Sequence, residues 1–546
     1  MFAWLTRLGV VLVVAGLALS AWPGTAAAQS GLTRERAREL RLYHETLVLA
    51  RPGAGPALRR AGGIRIARAL PIWRLPSRAA VRALPRLLRE RLVTEAEPNQ
   101  SLRAENHLPD PIAQWWPPFV GLDREEPPGP GKPLTVIDTG VDLAHEEFAT
   151  RPNTRALNPQ STNAQNEEHG TAVASVAAAP TNGVGVAGVY PQALLQVWDA
   201  SPLGDGISVG DVIAGLDAAV RSGSGVVNLS LGSQARNSLL DRMIAVTVGS
   251  GTIVVAAAGN SRTNGSPLEY PASLPHVLTV GAADSSGQPA FFSSGSPHVD
   301  LVAPGVSIPV AVPTTLHPPY YYDEFNGTSF ATPIVSGATA WVWTARPTLD
   351  WTQVVDIMRA SAQDVSSAGF DPLSGFGRLD IPTALRVAAP ARDPQEPNED
   401  VTYVKSNGFL HRATKPLTAA RRQSGSIGAR LDFGEDPRDV YRVWIPGKRT
   451  ALVALKPTGG DVDLAVWGPR TVSVLEGSGA RRRDLRGRSE RLGTKRELVR
   501  VKNTSRRGSY YYAEASVGTG TGNITRRVAG LGYRISVSIL KRSARR

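Results

Sequence analysis

The sequence predicts a doubly wound, mostly parallel α/β domain, preceded by a small α+β unit and followed by an all-β sandwich. Three observations lead there. Between residues 106 and 388, apolar runs without strict alternation trade places with Ala-rich runs of helical spacing, as strands buried on both faces between helices require. Beyond residue 400 the runs become short and alternating, separated by turn residues. Net charge changes sign twice: +10 over residues 1–105, −13 over 106–395 and +17 over 396–546, within the overall +14. Three blocks of alternating sign suggest three units with separate tasks, and 546 residues exceed a single core.

The absence of cysteine excludes disulfides, thiolate metal sites and cysteine nucleophiles, and in an exported protein it fits a bacterial source. The acidic centre argues against nucleic acid as the partner. Basic flanks suit contact with an anionic cell envelope, or simply solubility.

In chain order, residues 1–28 carry Arg7, an apolar run over 8–21 and Ala26-Ala27-Ala28, the pattern of a Sec-type signal peptide. The run is short for a membrane span, so a secreted, extracellular product is expected. Residues 29–105 are arginine-rich. Strands are expected at 45–50 and 64–70, a helix at 78–91 with Pro85 as a kink, and an extended segment at 91–99. Their place between a signal peptide and the larger domain suggests a removable pro-segment. Residues 389–400 are Pro-rich and polar and read as a linker. Over 401–546, strands are expected at 440–444, 451–455, 462–467, 509–515 and 533–539, with 481–491 as a basic loop.

Four places carry chemistry. Leu134-Thr135-Val136-Ile137-Asp138-Thr139-Gly140 is an apolar strand that ends in an aspartate, and His169-Gly170-Thr171 opens an Ala-rich helix. Ile253-Val254-Val255-Ala256-Ala257-Ala258-Gly259-Asn260 is a buried strand ending in an amide that could donate to an oxyanion. In Asn326-Gly327-Thr328-Ser329-Phe330-Ala331-Thr332-Pro333, a tight turn leads into a helix that Arg346-Pro347 would stop, with Pro333 expected in its first turn. Each alone reads as a cap, a loop acid or a turn residue. Together, and in this order, they supply every part of an acyl-transfer site.

With those motifs the chain resembles the subtilisin-like serine proteases, the subtilases, over roughly residues 106–388. The Gly375-Phe376-Gly377-Arg378-Leu379-Asp380 segment adds to the likeness. The resemblance implies Ser329 as nucleophile, His169 as general base and then acid, Asp138 as its orienting partner, and Asn260 with the Ser329 N–H as the oxyanion hole. It also implies that Ser230, Leu231 and Gly232 pair with substrate and that Ala257, Ala258 and Gly259 form the opposite wall of the first specificity pocket. Glu269, ahead of Tyr270-Pro271, matches the pocket floor, from which a Lys or Arg preference at the cleaved residue is expected.

By the same resemblance, residues 29–105 are an autoprocessed intramolecular inhibitor, substrates are proteins or peptides, and the enzyme is a monomer needing no cofactor. Structural calcium is common in the family; no ligand is assigned for it or any other metal. The tail, from Glu396-Pro397-Asn398-Glu399-Asp400 through Asp461-Val462-Asp463-Leu464 to Gly508-Ser509-Tyr510-Tyr511-Tyr512, resembles a pre-peptidase C-terminal β domain. Two departures stand out: Glu168 where the family often has Gly, and Ala172 where it often has a second His. Two other readings are a non-catalytic envelope- or polysaccharide-binding protein on this scaffold, and a mycosin-like maturation protease. Intact Asp138, His169, Asn260 and Ser329 speak against the first, and the lack of a C-terminal apolar span against the second.

Overall fold

The structure, a computed structural model, describes residues 32–41, 45–66, 71–98, 112–160, 164–204, 206–315, 321–366, 368–408, 410, 413–475, 482–518 and 530–541. The expected signal peptide and the segment around the maturation site lie outside the described residues. Among the described residues, no helix is long and apolar enough to cross a membrane. Two compact units divide after Glu105.

In the first unit, α1 (Arg34–Leu40), β1 (Glu45–Ala50), α2 (Gly55–Arg60), β2 (Ile64–Arg65), β3 (Ile72–Pro76), α3 (Ser77–Arg89) and β4 (Val93–Pro98) follow in order. The strands form an antiparallel sheet, β2-β3-β1-β4. Leu84 and Leu87 of α3 meet Val48, Trp73 and Leu75 of the strands in its core. β1, α3 and β4 fall where the apolar pattern puts them. The expected strand at 64–70 is only two residues in β2, with 67–70 outside the described residues. β3 was missed, because its pattern is interrupted by Arg74 and flanked by prolines.

The second unit opens with α4 (Trp116–Phe119), β5 (Pro133–Asp138), α5 (Glu146–Ala149), β6 (Thr154–Ala156), α6 (Ala164–Ala178) and β7 (Leu194–Asp199). It continues through α7 (Val209–Ser222), β8 (Val226–Leu229), α8 (Ser238–Gly249), β9 (Ile253–Ala257), β10 (Val277–Ala283) and β11 (Val299–Pro304). A hairpin of β12 (Ile308–Ala311) and β13 (Tyr322–Phe325) leads into α9 (Thr328–Ala345), α10 (Trp351–Ala360) and α11 (Ile381–Arg386). Seven parallel strands align as β11-β10-β9-β8-β5-β7-β6. Alternate residues serve opposite faces: Leu134, Val136 and Val255 join α6 and α9, whereas Ile137, Val254 and Ala256 join α7 and α8. That two-sided burial is why these strands read as unbroken apolar runs. Strand order reverses at β5, and ligand sites in such sheets gather beyond the carboxyl ends at that point.

The tail adds α12 (Val401–Val404), β14 (Ser424–Leu431), β15 (Arg438–Ile445), β16 (Thr450–Pro457), β17 (Val462–Trp467), β18 (Leu485–Ser489), β19 (Glu497–Lys502), β20 (Ser509–Val517) and β21 (Leu531–Ile539). They form two antiparallel four-stranded sheets, β14-β21-β16-β19 and β15-β20-β17-β18, around one apolar core. The five expected strands are present. The basic stretch 481–491 is a loop only in part, since residues 485–489 form β18, whose alternating arginines point outward at the sheet edge. The segment read as a linker does not run through solvent: Asp393, Glu396, Asn398, Glu399 and Asp400 are all buried. Their side chains take part in packing, and Asp400 caps α12. Composition alone cannot distinguish a solvated polar stretch from one whose polar groups find partners.

Candidate active site

Asp138 ends β5 with its side chain 1% exposed. One carboxylate oxygen, Oδ1, accepts from the Thr139 N–H (2.8 Å) and from His169 Nδ1 (2.7 Å). A carboxylate can only accept, so His169 carries its proton on Nδ1 and leaves the Nε2 lone pair for chemistry. Burial pulls the His169 pKa down, but the charge and hydrogen bond of Asp138, with a further contribution from Glu168, outweigh it and leave the pKa raised.

His169 lies in the second turn of α6, not at its start as expected; the helix already begins at Ala164, in the polar stretch ahead of the Ala-rich run. Two reciprocal bonds fix this helix against the Asp138 loop. The Gly170 N–H donates to Thr139 Oγ1 (3.0 Å), and the Asp142 N–H donates to Thr171 Oγ1 (2.9 Å). Gly170 is required by close approach, because a Cβ there would sit 2.0 Å from the Gly140 carbonyl oxygen.

Ser329 is the second residue of α9, after Gly327 at φ 155°, a conformation that favours glycine. Pro333 is not in the first turn but inside the helix. It has no N–H to offer the carbonyl four residues back, which belongs to Ser329. Ser230 Oγ fills that vacancy by donating to the Ser329 carbonyl at 2.7 Å. In return Ser329 Oγ donates to the Ser230 carbonyl (3.3 Å). Behind them the Asn228 amide donates to Ser230 Oγ (3.0 Å) and accepts from Ser336 Oγ (2.9 Å). The His169 ring centroid is 5.8 Å from that of Phe330, the residue after Ser329.

Asn260 follows β9 and is exposed. Its Oδ1 accepts from the Thr328 N–H (2.9 Å) and Thr328 Oγ1 (3.0 Å), which orients the amide and leaves Nδ2 as a donor. Thr328 Oγ1 also accepts from the Gly259 N–H (3.3 Å), tying the end of β9 to α9. Ala257 and Ala258 are buried, and Gly259 is half-buried. Opposite, Gly232 is exposed while Leu231 turns its side chain into the α7–α8 core. Ser233 and Tyr270 exchange backbone hydrogen bonds of 2.9 and 2.8 Å.

Those bonds bring in Glu269. Its Oε2 lies 3.5 Å from where a Gly232 Cβ would be, and its Cγ 2.6 Å from where a Gly259 Cβ would be. Glu269 thus stands between the two expected walls. Burial raises its pKa, opposed in part by a hydrogen bond from Gln234.

Asp138, His169, Ser230, Asn260, Glu269 and Ser329 lie around the carboxyl ends of β5, β8 and β9 and the start of α9, whereas Leu231 points its side chain into the core. Thr328, Asn228, Thr139 and Thr171 were missed as supporting residues. Asn228 had a signal, a lone amide inside an apolar buried strand, which must find a partner. Thr328 had none beyond adjacency to Ser329.

The subtilase family model matches residues 129–377. Subtilisin amylosacchariticus of Bacillus subtilis subsp. amylosacchariticus is 34% identical over 323 residues, covering 56% of this chain and 81% of the relative. The subtilisin of Bacillus pumilus is 36% identical over 260 residues, covering 46% and 90%. The psychrophilic subtilisin-like protease Apa1 of Pseudoalteromonas sp. AS-11 aligns with a TM-score of 0.44 at 22% identity, over 50% of this chain and 97% of that one. With 34–36% identity across 81–90% of the length of those two subtilisins, the chain belongs to the subtilase family and is a serine-type endopeptidase.

Proposed function

We propose that the protein is a secreted endopeptidase, made as a zymogen, that cleaves peptide bonds through an acyl-enzyme on Ser329. The observation that carries this reading is the 2.7 Å bond from His169 Nδ1 to buried Asp138. With Nδ1 committed, Nε2 takes the proton of Ser329 Oγ as the oxygen attacks the scissile carbonyl, and returns it to the leaving amine. The tetrahedral oxyanion is held by Asn260 Nδ2 and the Ser329 N–H at the positive end of α9. Water then attacks the acyl-enzyme, with His169 again the base. Substrate pairs along residues 230–232, against the wall formed by 257–259. Residues 29–105 act as the intramolecular inhibitor until they are cut away, and the enzyme works as a monomer.

Glu269 between the two walls favours Lys or Arg at the cleaved residue. The tail's net charge of +17 over residues 396–546, with Arg486, Arg488, Arg500 and Lys502 exposed along β18 and β19, favours contact with an anionic envelope. The test compares wild type with Ser329→Ala by fluorophosphonate labelling and N-terminal sequencing. Wild type should be labelled and processed near residues 99–105. Ser329→Ala should be unlabelled and unprocessed, with turnover reduced by about 10⁶-fold. An unlabelled wild type that keeps residues 29–105 defeats the reading.

A further inference from the structure

The catalytic domain and the tail meet over a cluster of buried acidic groups that the peptidase chemistry does not use. His276, in the turn entering β10 with φ 61°, comes from the catalytic domain. Glu396 and Glu399 come from the segment before α12, and Asp436 from the turn between β14 and β15. One ligand atom from each of the four lies within 4.8 Å of all the others. Asp393 and Asp439 form a second group with the same Glu396. Exposure is 9% for His276, 6% for Glu396 and Glu399, and 8% for Asp436.

We propose that His276, Glu396, Glu399 and Asp436 bind a divalent cation that fastens the tail to the catalytic domain. Charge is the first argument. The nearby arginines do not face the four ligands: Arg359 pairs with Asp300 (2.8 Å) and Glu435, and the half-buried Arg430 with Asp356 and with Asp393 of the second group (3.5 Å). That leaves one imidazole facing Glu396 (3.6 Å) and Glu399, with Asp436 and Asp439 beside them. Carboxylates taken out of water at this density need protons or a metal ion.

Unused oxygens are the second argument. Glu399 Oε2, Asp436 Oδ1 and Asp439 Oδ1 are buried with no hydrogen-bond partner among the described residues, and native interiors rarely leave such atoms idle.

The third argument is preorganisation. Asn398 donates to both Glu396 oxygens, from its side-chain amide to Oε1 and from its N–H to Oε2 (3.1 Å), while its own Oδ1 accepts from the Val440 N–H (2.7 Å). Tyr533 donates to Asp439 and is itself bonded to Tyr441 at 2.7 Å. The His276 ring is held edge-on to Trp351 at 5.3 Å. Such outer partners orient ligands in metal sites. A cavity of about 360 Å³ is lined by His276, Glu396 and Asp436.

The donors decide the class of ion. An imidazole with three carboxylates suits Mn²⁺ or Zn²⁺ better than Mg²⁺, while carboxylates alone suit Ca²⁺. The test uses full-length Ser329→Ala protein, to prevent self-digestion, stripped with EDTA. It is titrated separately with MnCl₂, ZnCl₂ and CaCl₂ by calorimetry and thermal melting. At least one ion should bind stoichiometrically and raise Tm by several degrees.

Asp436→Asn should abolish that rise while leaving the ion-free Tm equal or higher, because it relieves repulsion. His276→Gln should weaken Mn²⁺ and Zn²⁺ at least tenfold. Two results overturn the proposal: no ion-dependent shift in the parent, or the same shift in parent and Asp436→Asn. Unchanged Mn²⁺ and Zn²⁺ affinity in His276→Gln overturns the link between the domains. Should Asp436→Asn fail to fold, metal content of the parent purified without chelator decides, absence of bound divalent metal counting against the site.

Discussion

At the scale of single residues, His169 and Asp138 make a prediction about pH. In the proposed mechanism only neutral His169 accepts the Ser329 proton, and its pKa is raised above the free value. Activity should therefore fall as pH drops through a pKa above that of a free imidazole. Glu168 contributes to that rise, so Glu168→Gln should move the acid limb of kcat/KM to lower pH. An unmoved limb would remove Glu168 from the account. Asp138→Asn should lower kcat by about 10⁴-fold, the cost of losing the orienting carboxylate in other triads.

Glu269 predicts a second pH effect, because its own pKa is raised. The ratio of arginyl to leucyl peptide turnover should climb with pH as Glu269 ionises, and Glu269→Leu should abolish the climb. Chromogenic peptides measured across pH test both; a preference for apolar peptides in wild type removes the assignment. The motifs around Asp138, His169, Asn260 and Ser329 were legible because each chemistry admits few side chains. The partnership of Ser230 with the Ser329 carbonyl was not, since it joins positions 99 residues apart.

At the scale of elements, α9 carries the site and is buried on nearly every side, a core helix that holds its first turn still. Its internal Pro333 leaves the Ser329 carbonyl to Ser230. Ser230→Ala should leave that carbonyl without its partner, at about 1–3 kcal/mol, and lower kcat more than it raises KM. Ser230→Thr, which keeps the hydroxyl, should restore part of the loss. Equal kinetics for Ser230→Ala and wild type would show the bond to be idle. The contact of α6 with the Asp138 loop is as tight. Gly170→Ala should cost about 1–3 kcal/mol or more through overpacking, read as a lower Tm together with lost activity. Sequence periodicity revealed both helices, but neither the first residue of α9 nor the turn of α6 that bears His169.

At the scale of the whole molecule, the acidic catalytic domain and basic tail share buried ion pairs. Arg359, 11% exposed, joins Asp300 of β11 to Glu435 of the tail. Arg359→Met should cost about 3–5 kcal/mol by removing the cation that two buried carboxylates face, visible as a lower Tm; a Tm unchanged within error would refute that role. Block charge and period made the α/β domain and the sandwich readable, because strands buried on both faces and strands buried on one leave different patterns. The same composition suggested a linker at 389–400, where the fold instead buries Asp393, Glu396, Asn398, Glu399 and Asp400. Fold class, family and candidate chemistry were readable from residue order alone, because all of them depend on local pattern and short motifs. That Ser230 bonds to the Ser329 carbonyl, that Glu269 stands between Gly232 and Gly259, and that His276 meets the acidic groups of the tail follow from the folded chain and not from residue order. Each is a contact between residues distant in sequence, fixed by the packing of sheets and helices that no local run of residues records.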